Sequence, residues 1–481
     1  MTAYLSKTDP FDHQRSELAD HGLDASRGLF WEQGTGKTKP VIDTTAKLYR
    51  DAKIDGLLVI APNGVHANWV SDEIPTHMDP EVLRFVRSHI WYSTTTKKHQ
   101  RSFDDTLKHS GLAVLVMSYD AVRTPRGKVA WKKFLNDRKC MYVLDESHFI
   151  KNPGAKTSKR VMGSIAAAPF KRILTGTPID NNPFDLYNQL RFLDPEIWYE
   201  YGIRTFAAFK QYFGIWESIT FDGGTFPKCI AYKNLNKLHA KLHQVGSRVT
   251  KDEALDLPPK LYSKRYVELT PLQRRLYNEL KEQCYVETAT GEVTASIAIV
   301  RLLRFQQIIC GYLPKSDDDE DLEDLPGINP RLNLAVETVE DLPHQAIIWA
   351  RFQRDIDLLS QHKSLAKRCV AIDGRVTGQD RAEQKARFTS GEAQFLITSA
   401  AAMGTGHTLN MAKTVVYYNN TFKLGHRLQS EDRCHRIGQT NPVNYIDLVA
   451  RNTVDVRIVD ALRRKQSVAT TITGDTLKEW I

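Results

Sequence analysis

Short apolar runs recur along the chain between longer amphipathic stretches. Leu57–Pro62, Leu112–Tyr119, Met141–Leu144 and Arg172–Leu174 stand in the first half, and Gln345–Ala350, Cys369–Ile372, Phe395–Thr398 and Thr414–Tyr418 in the second. Apolar runs this short, alternating with helix-length segments, predict parallel strands buried between helices. The pattern occurs twice, so the fold class is α/β with two lobes. The lobes are placed at residues 1–257 and 258–481. The interval from about Asn181 to Lys251 is rich in aromatics (Trp198, Tyr199, Tyr201, Phe206, Phe209, Tyr212, Phe213, Trp216) and reads as an insertion. It reads as helical at first and less regular near Gly223-Gly224. A second helical stretch spans Pro271 to Ile309, and the acidic segment Pro314–Pro326 reads as an exposed loop.

A length of 481 residues also favours two domains over one core. No apolar run approaches the roughly 18 residues that span a bilayer, and Met1–Pro10 lacks the apolar core of a signal peptide, so an intracellular protein is expected. The six cysteines are scattered without a C-x-x-C pair, which argues against a zinc or disulfide framework. A net charge of +9, from 66 basic and 57 acidic residues, suits a polyanionic partner without demanding one.

Candidate chemistry lies just beyond the predicted strands, at the edge where open α/β sheets bind ligands. Gly34-Thr35-Gly36-Lys37-Thr38 reads as a phosphate loop. Its glycines let backbone N–H groups approach phosphates, Lys37 would reach the β and γ phosphates, and the Thr38 hydroxyl would ligate Mg²⁺. Trp31 occupies the place of the first glycine in the strict pattern. In Val143-Leu144-Asp145-Glu146-Ser147-His148 a strand ends in adjacent carboxylates. Asp145 suits Mg²⁺ held through water, and Glu146 suits orienting and deprotonating an attacking water. Gln14, about twenty residues before the loop, offers an amide donor and acceptor that suit an adenine edge. Arg433 and Arg436, three apart, would share a helical face, and arginine spreads transition-state charge at a γ-phosphate. ATP and Mg²⁺ are the cofactors expected. Because almost the whole chain separates the loop from the arginines, hydrolysis would depend on closure of the lobes.

Taken together, these motifs resemble the Swi/Snf family of superfamily-two helicase-like ATPases. The resemblance runs in order from Gln14 to about Gly474. It includes Leu57-Leu-Val-Ile-Ala-Pro-Asn, Val116-Met-Ser-Tyr119, Arg172-Ile-Leu-Thr-Gly-Thr-Pro178, Arg248-Val-Thr-Lys251 through Asp256-Leu-Pro-Pro-Lys260, and Arg433-Cys-His-Arg-Ile-Gly-Gln439. It implies two RecA-like lobes, with helical protrusions at about 181–250 and 266–330 and a closing brace helix at about 453–481. It implies that Gly406 joins the nucleotide site and that Thr175 and Thr177 couple hydrolysis to DNA contact. Ser118, Lys151, Asn152, Arg172 and Ser399 are the positions it turns towards DNA.

Three departures stand out. The loop is led by Trp31-Glu32-Gln33, the carboxylate motif is DESH rather than DEAH, and Ala402-Met403-Gly404-Thr405-Gly406-His407-Thr408-Leu409 lacks a glycine and an amide of the family pattern. The expected function is a DNA-dependent ATPase that moves along double-stranded DNA, largely independent of sequence and without separating strands. A monomer is expected, with a DNA-bound protein as a candidate substrate and a bacterial, archaeal or viral source. The alternatives are a strand-separating DNA or RNA helicase and, in another class, a nucleotide-gated DNA clamp without turnover.

Overall fold

The computed structural model describes residues 6–92, 96–221, 224–290, 295–315, 321–400, 402–403 and 409–475. The first lobe is built on β1 (Ser26–Leu29), β2 (Gly56–Ala61), β3 (Val86–Trp91), β4 (Leu112–Ser118), β5 (Cys140–Asp145) and β6 (Phe170–Leu174). A hairpin follows, β7 (Gly214–Phe221) with β8 (Gly224–Tyr232), and then the short β9 (Gly246–Ser247). The second lobe comprises β10 (Lys260–Val267), a ribbon of β11 (Tyr312–Pro314) and β12 (Leu322–Asp324), then β13 (Ala346–Trp349), β14 (Cys369–Ile372), β15 (Phe395–Thr398), β16 (Thr414–Tyr417) and β17 (Val443–Ala450). The larger sheets run β3-β4-β2-β5-β6-β1-β9 and β10-β17-β16-β13-β15-β14, and every pairing within them is parallel.

Alternate residues of one strand enter opposite cores, which explains the unbroken apolar runs. Leu58, Ile60, Leu115 and Leu144 pack on one face of the first sheet, while Leu57, Val59, Val114 and Val143 pack on the other. In the second sheet, Ile348, Ile397 and Val416 are divided in the same way from Ile347, Leu396 and Val415. Each such buried side chain contributes about 1.5–3 kcal/mol relative to exposure.

The eight predicted runs all became strands. The aromatic insertion is helical at Leu186–Leu193 and Phe206–Phe213, and then forms the β7–β8 hairpin. The acidic segment differs from the predicted loop: its flanks pair as β11 and β12, anchored by an Arg354–Asp324 ion pair. Helices Pro271–Thr290 and Ala295–Cys310 precede that ribbon.

One helix belongs to both lobes. In Val454–Thr473, Val454, Ile458 and Leu462 pack in a second-lobe cluster, whereas Ile472 lies in the first-lobe core with Val468 and Ala469 against it. The rings of His239 and His243, on helix Leu235–Val245, meet the carbonyls of Ile472 (2.9 Å) and Thr473 (3.1 Å). Among the described residues no helix is long and apolar enough to cross a membrane.

β9 pairs with β1 at closest approach, where a Cβ on Gly246 would meet the Gly28 carbonyl oxygen at 2.3 Å. Backbone against backbone leaves no room to relax. Gly246→Ala is therefore expected to destabilise the first lobe by about 1–3 kcal/mol. Gly374→Ala, with nothing within 4 Å of the added methyl, should be silent. Thermal unfolding of the two variants side by side checks this.

Candidate nucleotide site

Beyond β1 the chain passes through buried Phe30 and Trp31 into the loop. The Trp31 indole donates to Ser247 Oγ at 2.8 Å, so a side chain tied to β9 anchors the limb where the strict pattern has glycine. Gly34 (φ 83°) and Gly36 (φ 78°) adopt left-handed backbone that side chains disfavour. The Thr35 hydroxyl donates to the Glu32 carbonyl at 2.8 Å, and the Lys37 ammonium donates to the carbonyls of Trp31 and Glu32, both at 3.0 Å. Burial lowers the Lys37 pKa, opposed by the nearby carboxylates of Glu146, Asp145 and Asp432. Helix Thr38–Arg50 starts directly after, so its positive end faces the loop. Gln14 stands beside this loop: its Oε1 accepts from Phe11 N–H and its Nε2 donates to the Gly36 carbonyl, each at 2.9 Å. One N–H and one lone pair of the amide are left for a ligand edge.

Asp145 closes β5, and Glu146 follows with φ 53° and ψ 58°, a left-handed conformation for a residue with a side chain. Such backbone costs on the order of 1–3 kcal/mol and persists where surrounding contacts impose it. Those contacts are present. Gln33 Nε2 donates to Glu146 Oε1 (3.1 Å), Thr175 Oγ1 donates to Oε2 (3.3 Å), and His148 Nδ1 lies 3.3 Å from the same oxygen. Asp145 Oδ2 accepts from the Trp69 indole at 3.0 Å, and its carbonyl accepts from the Tyr119 hydroxyl at 2.9 Å. Burial, and then Glu146, raise the Asp145 pKa. Glu146 goes the other way: burial opposes ionisation, but His148, Lys37 and Thr175 together hold it below its ordinary value. The two adjacent carboxyls are thus shifted in opposite directions by their surroundings.

The arginines reach this site from the second lobe. A Cβ on Gly34 would sit 3.3 Å from Arg436 Cγ, and Arg433 feels the charge of Glu146. Burial, and then Arg436, pull the Arg433 pKa down to about 10, so it stays cationic at neutral pH. Gln14, Gly34, Gly36, Lys37, Thr38, Asp145, Glu146, Arg433 and Arg436 line one cavity of about 540 Å³. That volume falls in the range of small-molecule and cofactor pockets. Thr38 and Asp145 supply the hard oxygen donors that Mg²⁺ takes alongside phosphate and water, so the residues present fit a Mg²⁺-nucleotide.

Thr175 touches Glu146 directly, and Thr177 N–H donates to Thr175 Oγ1 at 3.2 Å. Lys151 is ion-paired with Asp180, whose other oxygen accepts from Gly425 N–H of the second lobe at 2.7 Å. Asn152 is exposed, and its side chain accepts from Gly154 N–H at 2.9 Å. Ser399 lines a cleft at the strand ends of the second sheet, with Arg351 and Lys423. Two expectations need correction. Ser118 is 5% exposed, and its hydroxyl caps helix Tyr119–Arg123. Arg172 is 3% exposed and donates to the carbonyls of Gly22, Asp24 and Lys171, at the end of the sheet away from the cavity. Neither presents a group to a polyanion. Gly406 lies outside the described residues.

Sequence reasoning missed Trp69, Gln33 and His148 as partners of the carboxylates. His148 was legible in the DESH motif and Gln33 in the loop lead. Trp69 carried no spacing signal, because its contact arises only from packing of the turn Trp69–Glu73 against β5.

A phosphate loop and paired carboxylates on one parallel α/β lobe, facing an arginine pair from another, define a two-lobed helicase-type nucleotide-binding protein. The model of the SNF2-related domain matches residues 25–311, and that of the helicase conserved C-terminal domain matches residues 331–438. The chain belongs to the SNF2-related family. It is 28% identical to the uncharacterized ATP-dependent helicase MG018 of Mycoplasma genitalium, over 91% of this chain and 39% of that protein. It is 25% identical to the CHD3-type chromatin-remodeling factor PICKLE of Arabidopsis thaliana, over 92% and 32%. It is also 27% identical to the DNA annealing helicase and endonuclease ZRANB3 of Mus musculus, over 93% and 38%. The chain therefore spans between about a third and two-fifths of these relatives. A solved structure, the Sulfolobus solfataricus SWI2/SNF2 ATPase core in complex with dsDNA, aligns with a TM-score of 0.42 and 22% identity, covering 99% of this chain and 95% of that one.

Trp69→Phe removes the indole donor to Asp145 while keeping an aromatic ring. Partners of metal-binding groups are typically worth 10–100-fold in affinity, so Mg²⁺-dependent ADP binding should weaken by about that factor. ADP binding without Mg²⁺ should be unchanged. Titration of a fluorescent ADP analogue with and without Mg²⁺ measures both.

Proposed function

We propose that this protein is a DNA-dependent ATPase that couples ATP hydrolysis to movement along double-stranded DNA without separating its strands. One observation carries the reading: the phosphate loop and the Arg433/Arg436 pair share a single cavity although they come from different lobes. Lys37 and the loop amides bind the phosphates, and Gln14 faces the base. Mg²⁺, when bound through Thr38 and Asp145, would neutralise phosphate charge. Glu146 orients the attacking water and accepts its proton, and Arg433 and Arg436 spread the charge that develops on the γ-phosphate. An arginine supplied in this way is worth about 10³–10⁵ in rate, or roughly 4–7 kcal/mol of barrier. A contribution that large makes lobe closure the switch.

Duplex DNA accelerates such an enzyme only by binding the closed arrangement better than the open one. Thr175 supports that link, because its hydroxyl touches Glu146 and it begins the loop that leads to Asp180 at the lobe junction. Lys151, Asn152 and Ser399 are the proposed DNA-facing residues. Contacts of this kind address phosphates, so affinity would be sequence-tolerant and fall steeply with salt. The family relatives carry helicase and chromatin-remodelling names, which supports a remodelling role. We propose a monomer acting on DNA or on a protein bound to it.

ATPase rates with duplex DNA, single-stranded DNA and RNA side by side test the substrate, and stimulation by duplex is the expected result. Displacement of a triplex strand without unwinding of a forked duplex is expected for a translocase, and the opposite pattern would establish a strand-separating helicase. Lys37→Ala and Glu146→Gln should each abolish turnover while leaving DNA affinity within about threefold, since neither residue contacts phosphates of the duplex backbone. Full turnover by Glu146→Gln would remove the assigned base.

A further inference from the structure

We propose that Lys251 is a positioning residue for the arginine pair, fixing the register of its loop against the phosphate loop. The inference rests on the hydrolysis reading above, and it concerns the segment that crosses between the lobes rather than either lobe.

That segment is held along its length. Phe30 N–H donates to the Ser247 carbonyl and Glu32 N–H to the Val249 carbonyl, both at 2.9 Å, so the backbone runs on beside β1 towards the phosphate loop. Thr250 and Glu253 form a capping box around the turn Lys251–Ala254, which fixes the direction of the Lys251 side chain.

Lys251 then faces both halves of the site. Its backbone N–H donates to Glu32 Oε2 at 2.8 Å. The backbone carbonyl of the same residue, Glu32, receives the Lys37 ammonium and the Thr35 hydroxyl. At its far end the Lys251 ammonium donates to Asp432 Oδ1 at 2.6 Å and to the His435 carbonyl. These two acceptors flank Arg433, and His435 directly precedes Arg436. The His435 ring also meets the Pro258 carbonyl at 2.7 Å, so the crossing segment grips this loop at two places. A continuous path of bonds leads from Lys37 through Glu32 and Lys251 to the residues on either side of Arg433.

The choice of a cation has a physical reason. Lys251 is 1% exposed, and its two acceptors, Asp432 and the His435 carbonyl, are each next in sequence to one of the two arginines. Asp432 is next to Arg433 in sequence and acts on it electrostatically. With Lys251 bound, and Lys260 Nζ also 3.5 Å away, the Asp432 carboxylate is already engaged. Without Lys251 that carboxylate, which lines the same cavity and would keep only the longer contact with Lys260, would compete with phosphate for Arg433. A lysine here therefore holds the loop and keeps the neighbouring acid from quenching the guanidinium.

The test compares kcat, ATP KM, and affinities for ADP and for ADP–aluminium fluoride in Lys251→Met, Lys251→Arg, Arg433→Ala and the double variant Lys251→Met/Arg433→Ala. Displacement of a reacting group by roughly an ångström costs about 100-fold. Lys251→Met should therefore lower kcat and ADP–aluminium fluoride affinity by about that factor while ADP affinity holds. Lys251→Arg should recover most of the rate. In the Arg433→Ala background the Lys251 substitution should cost clearly less than in the wild type, because part of its effect passes through that guanidinium and only the part through Arg436 remains. Wild-type kcat in Lys251→Met would overturn the proposal, as would loss of ADP affinity in parallel with kcat or a full additional loss in the double variant. An impaired Arg433→Ala beside a normal Lys251→Met would defeat this inference alone, whereas a normal Arg433→Ala would defeat the hydrolysis geometry itself. If Lys251→Met melts below the assay temperature, Lys251→Gln, which keeps a donor at this position but drops the charge on Asp432, is held to the same outcomes.

Discussion

A cleft that gathers cations for a polyphosphate must stay folded when no phosphate is present. Lys37, Arg433 and Arg436 all line one cavity, and their mutual repulsion would splay the lobes unless other groups answered it. The answering charges come from both sides. Lys37 donates to its own loop carbonyls, Arg433 feels Asp432 and Glu146, and the crossing segment contributes the pairs Lys251–Asp432 and Arg248–Asp475. Breaking such a buried pair from one side leaves a desolvated charge without a partner, at a cost of several kcal/mol. The same arrangement that balances the charges of the cleft also sets which groups a phosphate would displace.

The lobes are joined by two covalent routes. In one the crossing segment pairs with β1 and then enters the second sheet as β10. In the other, helix Val454–Thr473 begins in the second-lobe core and ends with Ile472 in the first. Arg248 links these routes, donating to the Phe30 and Gly176 carbonyls and pairing with Asp475 just beyond the helix. Phe30 leads into the phosphate loop, and Gly176 lies between Thr175 and Thr177. A shift of the helix end is thereby transmitted to both.

Most of the buried parallel strands were legible in the sequence and most edge strands were obscure, although the edge strand β14 was read and the interior strands β1 and β17 were not. Strands covered on both faces read as unbroken apolar runs, as in Leu57–Ala61 or Phe395–Thr398. β3 and β10 lie at sheet edges and alternate: Val86-Arg-Ser-His-Ile-Trp91 buries fully only His89 and Trp91, and Lys260–Val267 only its last residue. Such segments resemble exposed loops until their neighbours are known. The site followed the same division. Residues whose chemistry sits inside a motif were named from the sequence, and the structure brings the loop, the carboxylates and the arginines together. Ser118 and Arg172 fared differently because a motif does not reveal which way a side chain turns at a strand. A serine at a strand end caps the next helix, and an arginine in mid-strand is absorbed by carbonyls of the turn that leads into the neighbouring strand β1.

Glu146 shows how far function governs the local backbone. A residue with a side chain at φ 53° is held there against its own preference, and the groups that hold it are Gln33 of the phosphate loop, Thr175 of the coupling loop and His148 of its own turn. Each belongs to an element that would respond to a different event, namely nucleotide binding, lobe closure or contact along the strand ends. In the role proposed for it, Glu146 is in place only when all three partners are. Making the chemistry conditional in this way takes no moving part beyond the loops already described, since the conformational cost of about 1–3 kcal/mol is comparable with the hydrogen bonds that oppose it. The balance is close enough for any one partner to tip it.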